Sequence, residues 1–206
     1  MNGKKLIIIR HAETQNSKDR RYQSPDSAIL PVSRRRVENT KRKLLDLGAS
    51  EIFVSELNRS AQTAELFDLP TKRTELLNEF REPSSLFDKQ ITASSSYIFD
   101  VIEKYDSNWG YAREDGESLK ELIDRTFAFR VEVENSDKEL IVCVGHGFYM
   151  RIFALLTIIG REEVISRMLS SALNMKMEKL NYASFILKEG RWTIETWNGS
   201  IEAVSS

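Results

Sequence analysis

Short apolar runs alternate with helical patterns along most of this sequence. The runs at residues 5–9, 52–54 and 140–144 are brief and rich in β-branched residues, which is typical of strands buried on both faces. A weaker strand pattern lies at residues 72–74. Strands that alternate with helices form a mostly parallel sheet with helices packed on both faces. The pattern therefore predicts an α/β fold.

Helical patterns fill the segments between these runs. They cover residues 33–47, 58–67, 94–104, 148–159 and 161–169, and a capping box of Ser118 and Glu121 predicts one more helix start. Two alternating patterns at 184–188 and 192–197 flank Glu189-Gly190, which predicts an antiparallel hairpin. We therefore predict a three-layer α/β/α sandwich with a mostly parallel central sheet and an antiparallel C-terminal hairpin.

The length of the chain and the lack of linker-like segments favour one domain. Its 206 residues contain no internal repeat and no linker rich in proline or glycine. Residues 83–116 fit no clear pattern apart from one helix, and we expect them to cover the functional site. The prediction is one catalytic domain over residues 1–206, with residues 83–116 as its cap.

Composition argues against several classes of protein. The longest apolar stretch, residues 152–159, is far shorter than the roughly 20 residues that cross a bilayer. The run at residues 6–9 is too short for the core of a signal peptide. One cysteine excludes an internal disulfide, and one cysteine with two histidines argues against a structural metal site. We predict a cytoplasmic protein with no cofactor, no metal and no membrane partner.

Positive charge is concentrated near the N-terminus. Residues 1–43 hold 12 Lys/Arg against 4 Asp/Glu, although the whole chain has a net charge of −1. The densest part comprises Arg34, Arg35 and Arg36 followed by Lys41, Arg42 and Lys43. We interpret it as a solvated helix face, and because no aromatic residues interleave it, we expect no nucleic-acid partner.

The two histidines directly follow predicted strands. His11 follows the first strand together with Arg10, His146 follows the strand at 140–144, and Arg59 lies shortly after the strand at 52–54. Because ligands bind at the carboxyl ends of the strands in open α/β sheets, we expect these side chains to converge. Guanidinium groups match phosphoryl oxygens in pairs, so the set predicts a phosphate site.

Five short segments run along the chain in a recognisable order. They are Arg10-His11-Ala12-Glu13-Thr14, Ser55-Glu56-Leu57-Asn58-Arg59, Leu77-Asn78-Glu79, Gly116-Glu117-Ser118 and Val144-Gly145-His146-Gly147. Each resembles a block of the histidine phosphatase (phosphoglycerate mutase-like) superfamily, whose opening signature is Arg-His-Gly-Glu-Thr. Together with their flanks they span residues 6 to about 151, so the resemblance covers most of the chain.

The resemblance implies a role for each residue at the phosphate. His11, unprotonated at one ring nitrogen, is expected to attack phosphorus and form a phosphohistidine intermediate. Arg10, Arg59 and His146 are expected to bind the phosphoryl oxygens. The backbone N–H of Gly147 would add a donor at a helix N-terminus.

Two further roles are implied with alternatives. Asn16 is expected to close the phosphate pocket, and Ser17 is the alternative because the spacing after His11 is one residue short of the mutase pattern. Glu79 is expected to protonate the leaving oxygen and later to deprotonate the attacking water. Glu82 is the alternative acid. From the charges alone, we also expect the neighbouring arginines to lower the pKa of His11.

Departures from the family pattern favour a phosphatase. Ala12 replaces the usual glycine, Arg36 stands where a glycine usually falls, and Phe80-Arg81-Glu82-Pro83 differs from the stretch typical of mutases. We therefore predict hydrolysis of a phosphate monoester on a small phosphorylated molecule, with a phosphoprotein as a further possibility. The alternatives are mutase-type phosphotransfer and a non-catalytic phosphate-binding or scaffold protein. The sequence assigns neither the substrate nor the oligomeric state.

Overall fold

The computed structural model describes residues 3–92, 96–161 and 163–200 of the chain. Within these ranges the strands are β1 Lys4–Arg10, β2 Ile52–Val54, β3 Thr71–Arg73, β4 Leu140–Gly145, β5 Tyr182–Lys188 and β6 Arg191–Gly199. The α-helices are α1 Gln15–Lys18, α2 Arg34–Asp46, α3 Asn58–Glu65, α4 Tyr97–Lys104, α5 Leu119–Asn135, α6 Gly147–Ile159 and α7 Ser166–Leu173.

The strands form one mixed six-stranded sheet. Its order is β3-β2-β4-β1-β5-β6, with β1 to β4 parallel to one another and β5 and β6 antiparallel to the strands beside them. The predicted fold class is therefore confirmed, including the antiparallel C-terminal hairpin. The hairpin turns through Glu189 and Gly190, which have φ of 53° and 74°, as the left-handed residues of a two-residue hairpin loop do.

Alternate residues of the central strands point into two separate cores. On one face, Leu6 and Ile8 of β1 and Cys143 of β4 pack in a core with α4, α5, α6 and α7. On the other face, Ile7 and Ile9 pack in a core that contains Leu44 of α2. This two-sided burial is the reason why these strands lack the polar alternation of a half-exposed strand.

Local capping signals explain where several helices begin. Ser118 caps α5 through a capping box with Glu121, as predicted, and Ser33 caps α2. The short helix α1 was not predicted, although Thr14 and Ser17 form a capping box at its start. The signal was present in the sequence, but four residues are too few for helical periodicity to show.

Two predicted helix boundaries differ from the structure. The helix predicted to begin at residue 161 begins at Ser166, because α6 ends at Gly160 with a φ of 77° and extended backbone at Ile165 precedes α7. The helix predicted over 94–104 is α4, which begins at Tyr97, and the start of that prediction lies outside the described residues. No described helix has the length and apolar content needed to cross a membrane.

Candidate active site

The two histidines lie side by side at the carboxyl edge of the sheet. The register of β1 and β4 pairs Arg10 with Gly145, the last residue of each strand. A histidine follows directly after each of them, so the two histidines are neighbours. The backbone N–H of His11 donates to the carbonyl of Gly145 at 2.9 Å, and the ring centroids of His11 and His146 are 5.1 Å apart. The structure thus brings the two imidazoles together.

The surroundings of His11 select one tautomer. Its side chain is buried, with 1% of its surface exposed, and its Nδ1 lies 2.7 Å from the carbonyl oxygen of Ala12. Because a carbonyl only accepts hydrogen bonds, Nδ1 carries the ring proton and Nε2 keeps its lone pair. Burial lowers the pKa of His11 well below its ordinary value, and the charge of Lys179 is the next largest cause. The two arginines contribute less than the sequence interpretation assumed.

His146 is held through its other ring nitrogen. Its Nε2 lies 2.8 Å from Oγ of Ser55 and 3.0 Å from Oγ of Ser60. Ser55 donates its own hydroxyl to Asn78, so its oxygen accepts from Nε2, and Nδ1 of the neutral ring keeps a lone pair. This Nδ1 is buried without a hydrogen-bond partner. Burial also lowers the pKa of His146 well below its ordinary value.

Each arginine of the predicted set has a buried N–H that no protein group uses. Arg10 donates from Nη1 to the carbonyl of Met177, and Arg59 donates from Nη1 to the carbonyl of Ser24 at 3.1 Å. The Nε atoms of both side chains are buried without a partner. Burial lowers the pKa of Arg59 to about 10. Because buried polar groups normally have partners, two orphaned guanidinium N–H groups indicate a place for an anion.

Gly147 begins α6 directly beside Arg10. A Cβ atom at position 147 would lie 2.9 Å from Nε of Arg10, so a larger residue would displace the guanidinium. The next two backbone N–H groups of α6, those of Phe148 and Tyr149, donate to the carboxylate of Glu79 at 3.1 and 3.0 Å. Glu79 therefore caps this helix, and its carboxylate lies at the first turn of α6.

Glu82 has a different environment from Glu79. Its side chain is partly buried, and this desolvation, aided by the charge of Glu79, raises the pKa of Glu82 to about 8 although Arg59 opposes the shift. Glu82 thus retains a proton at neutral pH. The sequence offered both carboxyl groups as the candidate acid. In the structure, Glu82 has the raised pKa, whereas Glu79 accepts hydrogen bonds from the start of α6.

A buried ion pair supports the segment that carries Glu79. Nε of Arg125 lies 2.6 Å from Oε1 of Glu117. The same guanidinium donates to the carbonyls of Asn78 at 2.6 Å and Glu79 at 3.1 Å. The Gly116-Glu117-Ser118 element therefore acts through Arg125 on the backbone of Glu79.

Asn16 is hydrogen-bonded to other segments of the chain. Its amide nitrogen donates to the carbonyl of Tyr22 at 3.0 Å and to Oδ1 of Asp88 at 2.7 Å. An amide nitrogen has two hydrogens, so neither is left for a phosphate in this arrangement. The alternative, Ser17, donates its hydroxyl to Glu13. The pocket-closing role expected of one of these two side chains stays a prediction.

Sequence reasoning missed Lys179. Its Nζ lies 3.5 Å from Nε2 of His11. No sequence pattern marks it, because it precedes β5 in a polar connection that reaches the site only when β5 pairs with β1. Arg10 and Leu180 make the contact that places it: the N–H of Leu180 donates to the carbonyl of Arg10 at 3.0 Å.

A cavity of about 310 Å³ adjoins this group of residues. Arg59, Glu79 and Glu82 lie on its wall. The wall also contains Arg21 and apolar side chains such as Leu76 and Phe148. Part of the wall, including Phe87 and Ile91, comes from the segment that we predicted to cover the site. Within residues 3–92, 96–161 and 163–200, no cluster of His, Cys, Asp or Glu side chains could hold a metal ion.

Comparison with known proteins supports the family resemblance that the five sequence segments indicated. Residues 6–200 match the sequence model of the histidine phosphatase superfamily (branch 1). None of the curated proteins matches the sequence.

Several solved structures that share this fold are named as phosphatases. The alpha-ribazole phosphatase from Shigella flexneri superimposes with a TM-score of 0.70 at 20% identity, over 98% of this chain and all of the other. A phosphoserine phosphatase variant from Entamoeba histolytica, in complex with phosphoserine, has a TM-score of 0.72 at 20% identity over 98% and 100%. The mycobacterial glucosyl-3-phosphoglycerate phosphatase has a TM-score of 0.70 at 18% identity over 96% and 100%. At these identities the likeness establishes the fold.

Proposed function

The chain belongs to branch 1 of the histidine phosphatase superfamily, and from this premise we propose that it hydrolyses a phosphate monoester through a phosphohistidine intermediate on His11. One observation carries the proposal. The buried His11 keeps an unprotonated Nε2, and the charges of Arg59 and Arg10 act on its ring. Each of these guanidinium groups has a buried N–H without a partner among the residues that the structure describes. The site thus combines a nucleophilic nitrogen with N–H donors that are available to bind a phosphate.

In the first step, Nε2 of His11 attacks phosphorus and the bond to the leaving oxygen breaks. Negative charge on the phosphoryl oxygens is stabilised by Arg10 and Arg59, which lie ready without reorganisation. A phosphate dianion also favours the protonated form of His146, whose Nδ1 then becomes a donor. The N–H of Gly147 adds a donor at the start of α6. These side chains supply positive charge without a metal ion.

Glu79 is the acid that we assign to the leaving oxygen. It contacts the start of α6 and acts electrostatically on Arg10 and Arg59, so it borders the phosphate. In this role the carboxyl carries a proton when the substrate binds and gives it to the leaving oxygen. Once the leaving group departs, the same carboxylate takes a proton from the water that attacks the phosphohistidine. Glu82 is the alternative acid, supported by the proton that it holds at neutral pH.

The substrate is a small phosphorylated molecule in this proposal. The cavity of about 310 Å³ lies next to Arg59 and the two carboxyl groups, where the leaving group must sit when the phosphoryl group binds beside His11. This volume is at the lower end of the range found for small-molecule sites. A phosphoprotein would have to present its phosphorylated side chain through the same opening.

The test is a screen of phosphorylated metabolites and phosphopeptides in the presence of a chelator, with His11→Ala as the paired variant. We expect the parent to release inorganic phosphate and to form an acid-labile phosphoenzyme, and the variant to do neither while its circular dichroism spectrum is unchanged. Exchange between phosphoglycerate isomers without release of phosphate would indicate the mutase alternative. Phosphate binding without turnover or phosphoenzyme would indicate the non-catalytic alternative, and turnover by His11→Ala near the parent rate would refute the mechanism.

A further inference from the structure

A lysine that the proposed mechanism does not use faces the nucleophile. Nζ of Lys179 lies 3.5 Å from Nε2 of His11. Because Nδ1 of His11 donates to Ala12, Nε2 is the accepting atom and the lysine is the donor. The amino group therefore occupies the lone pair with which His11 would attack phosphorus.

The surroundings of Lys179 leave its charge without a direct counter-ion. In the part of the chain that the structure describes, no carboxylate forms an ion pair with Lys179. The cations of Arg10 and Arg59 repel it, and the more favourable charges are those of Glu13 and Glu79. Three cations gathered around one imidazole without a paired carboxylate indicate an anion that binds among them.

The backbone on both sides of Lys179 is fixed by side chains from other elements. Arg36 donates from Nη2 to the carbonyl of Lys179 at 2.8 Å and to Oδ1 of Asn181 at 3.2 Å. The N–H of Glu178 donates to Asn198 at 2.7 Å. Arg36 is the residue that replaces a glycine of the family pattern, and it belongs to the basic run interpreted as a solvated face. Side chains of α2 and β6 thus hold the connection that carries the lysine.

We propose that Lys179 is a phosphoryl-binding residue of this site, whose amino group leaves Nε2 of His11 as the phosphate enters and then donates to a phosphoryl oxygen. When the lysine already carries its proton, no proton moves in this exchange, because the ammonium group changes acceptors while His11 regains its lone pair for attack. The proposal rests on the proposed function, since it assumes that phosphate binds beside His11.

The protonation of Lys179 gives the proposal a pH signature. Burial, followed by the charge of Arg10, lowers the pKa of Lys179 to about 7 in the empty site. The charged groups that act on it are Arg10, Glu13, Arg59 and Glu79. A bound dianion favours the ammonium form. Anion binding should therefore take up a proton above pH 7 and should weaken as the pH rises.

The experiment compares phosphate binding to the parent, Lys179→Met, Lys179→Arg and Lys176→Met by isothermal titration calorimetry at pH 6.5. Lys176 is the matched control, because it lies on the same connection but is exposed and pairs with Glu178. We expect Lys179→Met to weaken phosphate binding at least about tenfold, the loss of one charge-assisted hydrogen bond. Lys179→Arg should retain most of the affinity and Lys176→Met should stay within about twofold of the parent.

A second measurement separates binding from a structural role. Sulfate stays a dianion between pH 6.5 and 8.5, so the change in its affinity over this range reports on protein groups. The parent should lose affinity as the pH rises, and Lys179→Arg should lose less because a guanidinium keeps its charge. Thermal unfolding of Lys179→Met should occur no lower than that of the parent, since the variant removes an uncompensated cation.

The outcomes distinguish this proposal from the proposed function. If Lys179→Met binds phosphate as tightly as the parent or more tightly, or if the parent binds no phosphate, the proposal is overturned. If the parent binds phosphate, loses it on Lys179→Met, and yet forms no phosphoenzyme, the binding role stands and the hydrolytic mechanism fails. If the parent hydrolyses substrates and Lys179→Met has unchanged KM and phosphate affinity, the mechanism stands and the role of Lys179 fails.

Discussion

At the scale of single residues, burial controls the chemistry more than neighbouring charge does. Desolvation is the largest cause of the shifts that lower the pKa of His11 and His146, raise that of Glu82 to about 8 and lower that of Lys179 to about 7. A charge costs more in a dehydrated site than in water. The same burial that neutralises the nucleophile thus also retains a proton on a carboxyl group nearby.

Substrates with different leaving groups can show which of the two carboxyl groups, Glu79 or Glu82, is the acid. Glu79→Gln should reduce kcat at least about 100-fold for alkyl phosphates, whose leaving oxygen needs a proton, and far less for p-nitrophenyl phosphate, whose leaving group does not. Initial rates for a series of leaving groups, measured also for Glu82→Gln, provide the comparison. If Glu82→Gln shows the greater dependence on the leaving group, Glu82 is the acid and the assignment of Glu79 is wrong.

At the scale of secondary structure elements, strand register and one buried ion pair position the site. The pairing of Arg10 with Gly145 makes the two histidines neighbours, and a shift of one residue would turn each imidazole to the other face of the sheet. The ion pair of Glu117 with Arg125 then ties the first turn of α5 to the segment of Glu79. Register thus places His11 beside His146, and the ion pair holds the segment of Glu79.

Removal of one partner of this ion pair should be costly. We expect Arg125→Met to lower the free energy of unfolding by about 3–5 kcal/mol, because it leaves the buried carboxylate of Glu117 unpaired. At a temperature where the variant is folded, its kcat should also fall, since the backbone carbonyl of Glu79 loses a donor. Denaturant unfolding and steady-state kinetics measure the two effects.

The matched control lies on the same helix. Lys120 pairs with Asp124 at 2.5 Å at a more exposed position, and Lys120→Met should change stability by less than about 1 kcal/mol. Equal losses for Lys120→Met and Arg125→Met would contradict the structural role given to the Glu117 pair.

At the scale of the whole molecule, the fold collects positive charge from distant parts of the sequence. Arg10 belongs to β1, Arg59 to α3 and Lys179 to the connection before β5, although the chain as a whole has a net charge of −1. These cations repel one another at the edge of the sheet, and under the proposed function a bound anion relieves this repulsion. The repulsion lowers the stability of the folded protein, as is common at functional sites.

This stored repulsion predicts how stability depends on pH. The unfolded chain keeps the proton of Lys179 up to a pKa near 10.5, whereas the folded protein loses it near 7. Between these values the unfolded state binds more protons, so the free energy of unfolding rises with pH. The titration of Glu82 lowers the free energy of unfolding as the pH rises to about 8. The contribution of Lys179 should therefore be measured from pH 8 to 9, where it is at most about 1.4 kcal/mol per pH unit.

Chemical denaturation of the parent and Lys179→Met at pH 8 and 9 tests this dependence. The parent should become more stable relative to the variant as the pH rises, although the variant is the more stable protein at pH 7. A constant difference between the two proteins over this interval would show that Lys179 titrates as an ordinary surface lysine.

The sequence alone determined the sheet-forming runs, the capping box of α5, the resemblance to the family and the placement of His11, Arg10, Arg59 and His146. These features depend on residues near one another in the chain, because strand burial, capping and the first residue after a strand are local properties. The five ordered segments therefore sufficed to predict the fold and the convergence of the imidazoles.

Only the tertiary structure decided the remaining features of the site. The amide of Asn16 turns to Asp88, Arg36 leaves the solvated face to hold the Lys179 connection, and Lys179 meets His11 across 168 positions of sequence. Each of these contacts joins elements that are distant in the chain, so strand order and register place them. Protonation follows the same rule, because the desolvation that raises the pKa of Glu82 exists only when the chain is folded.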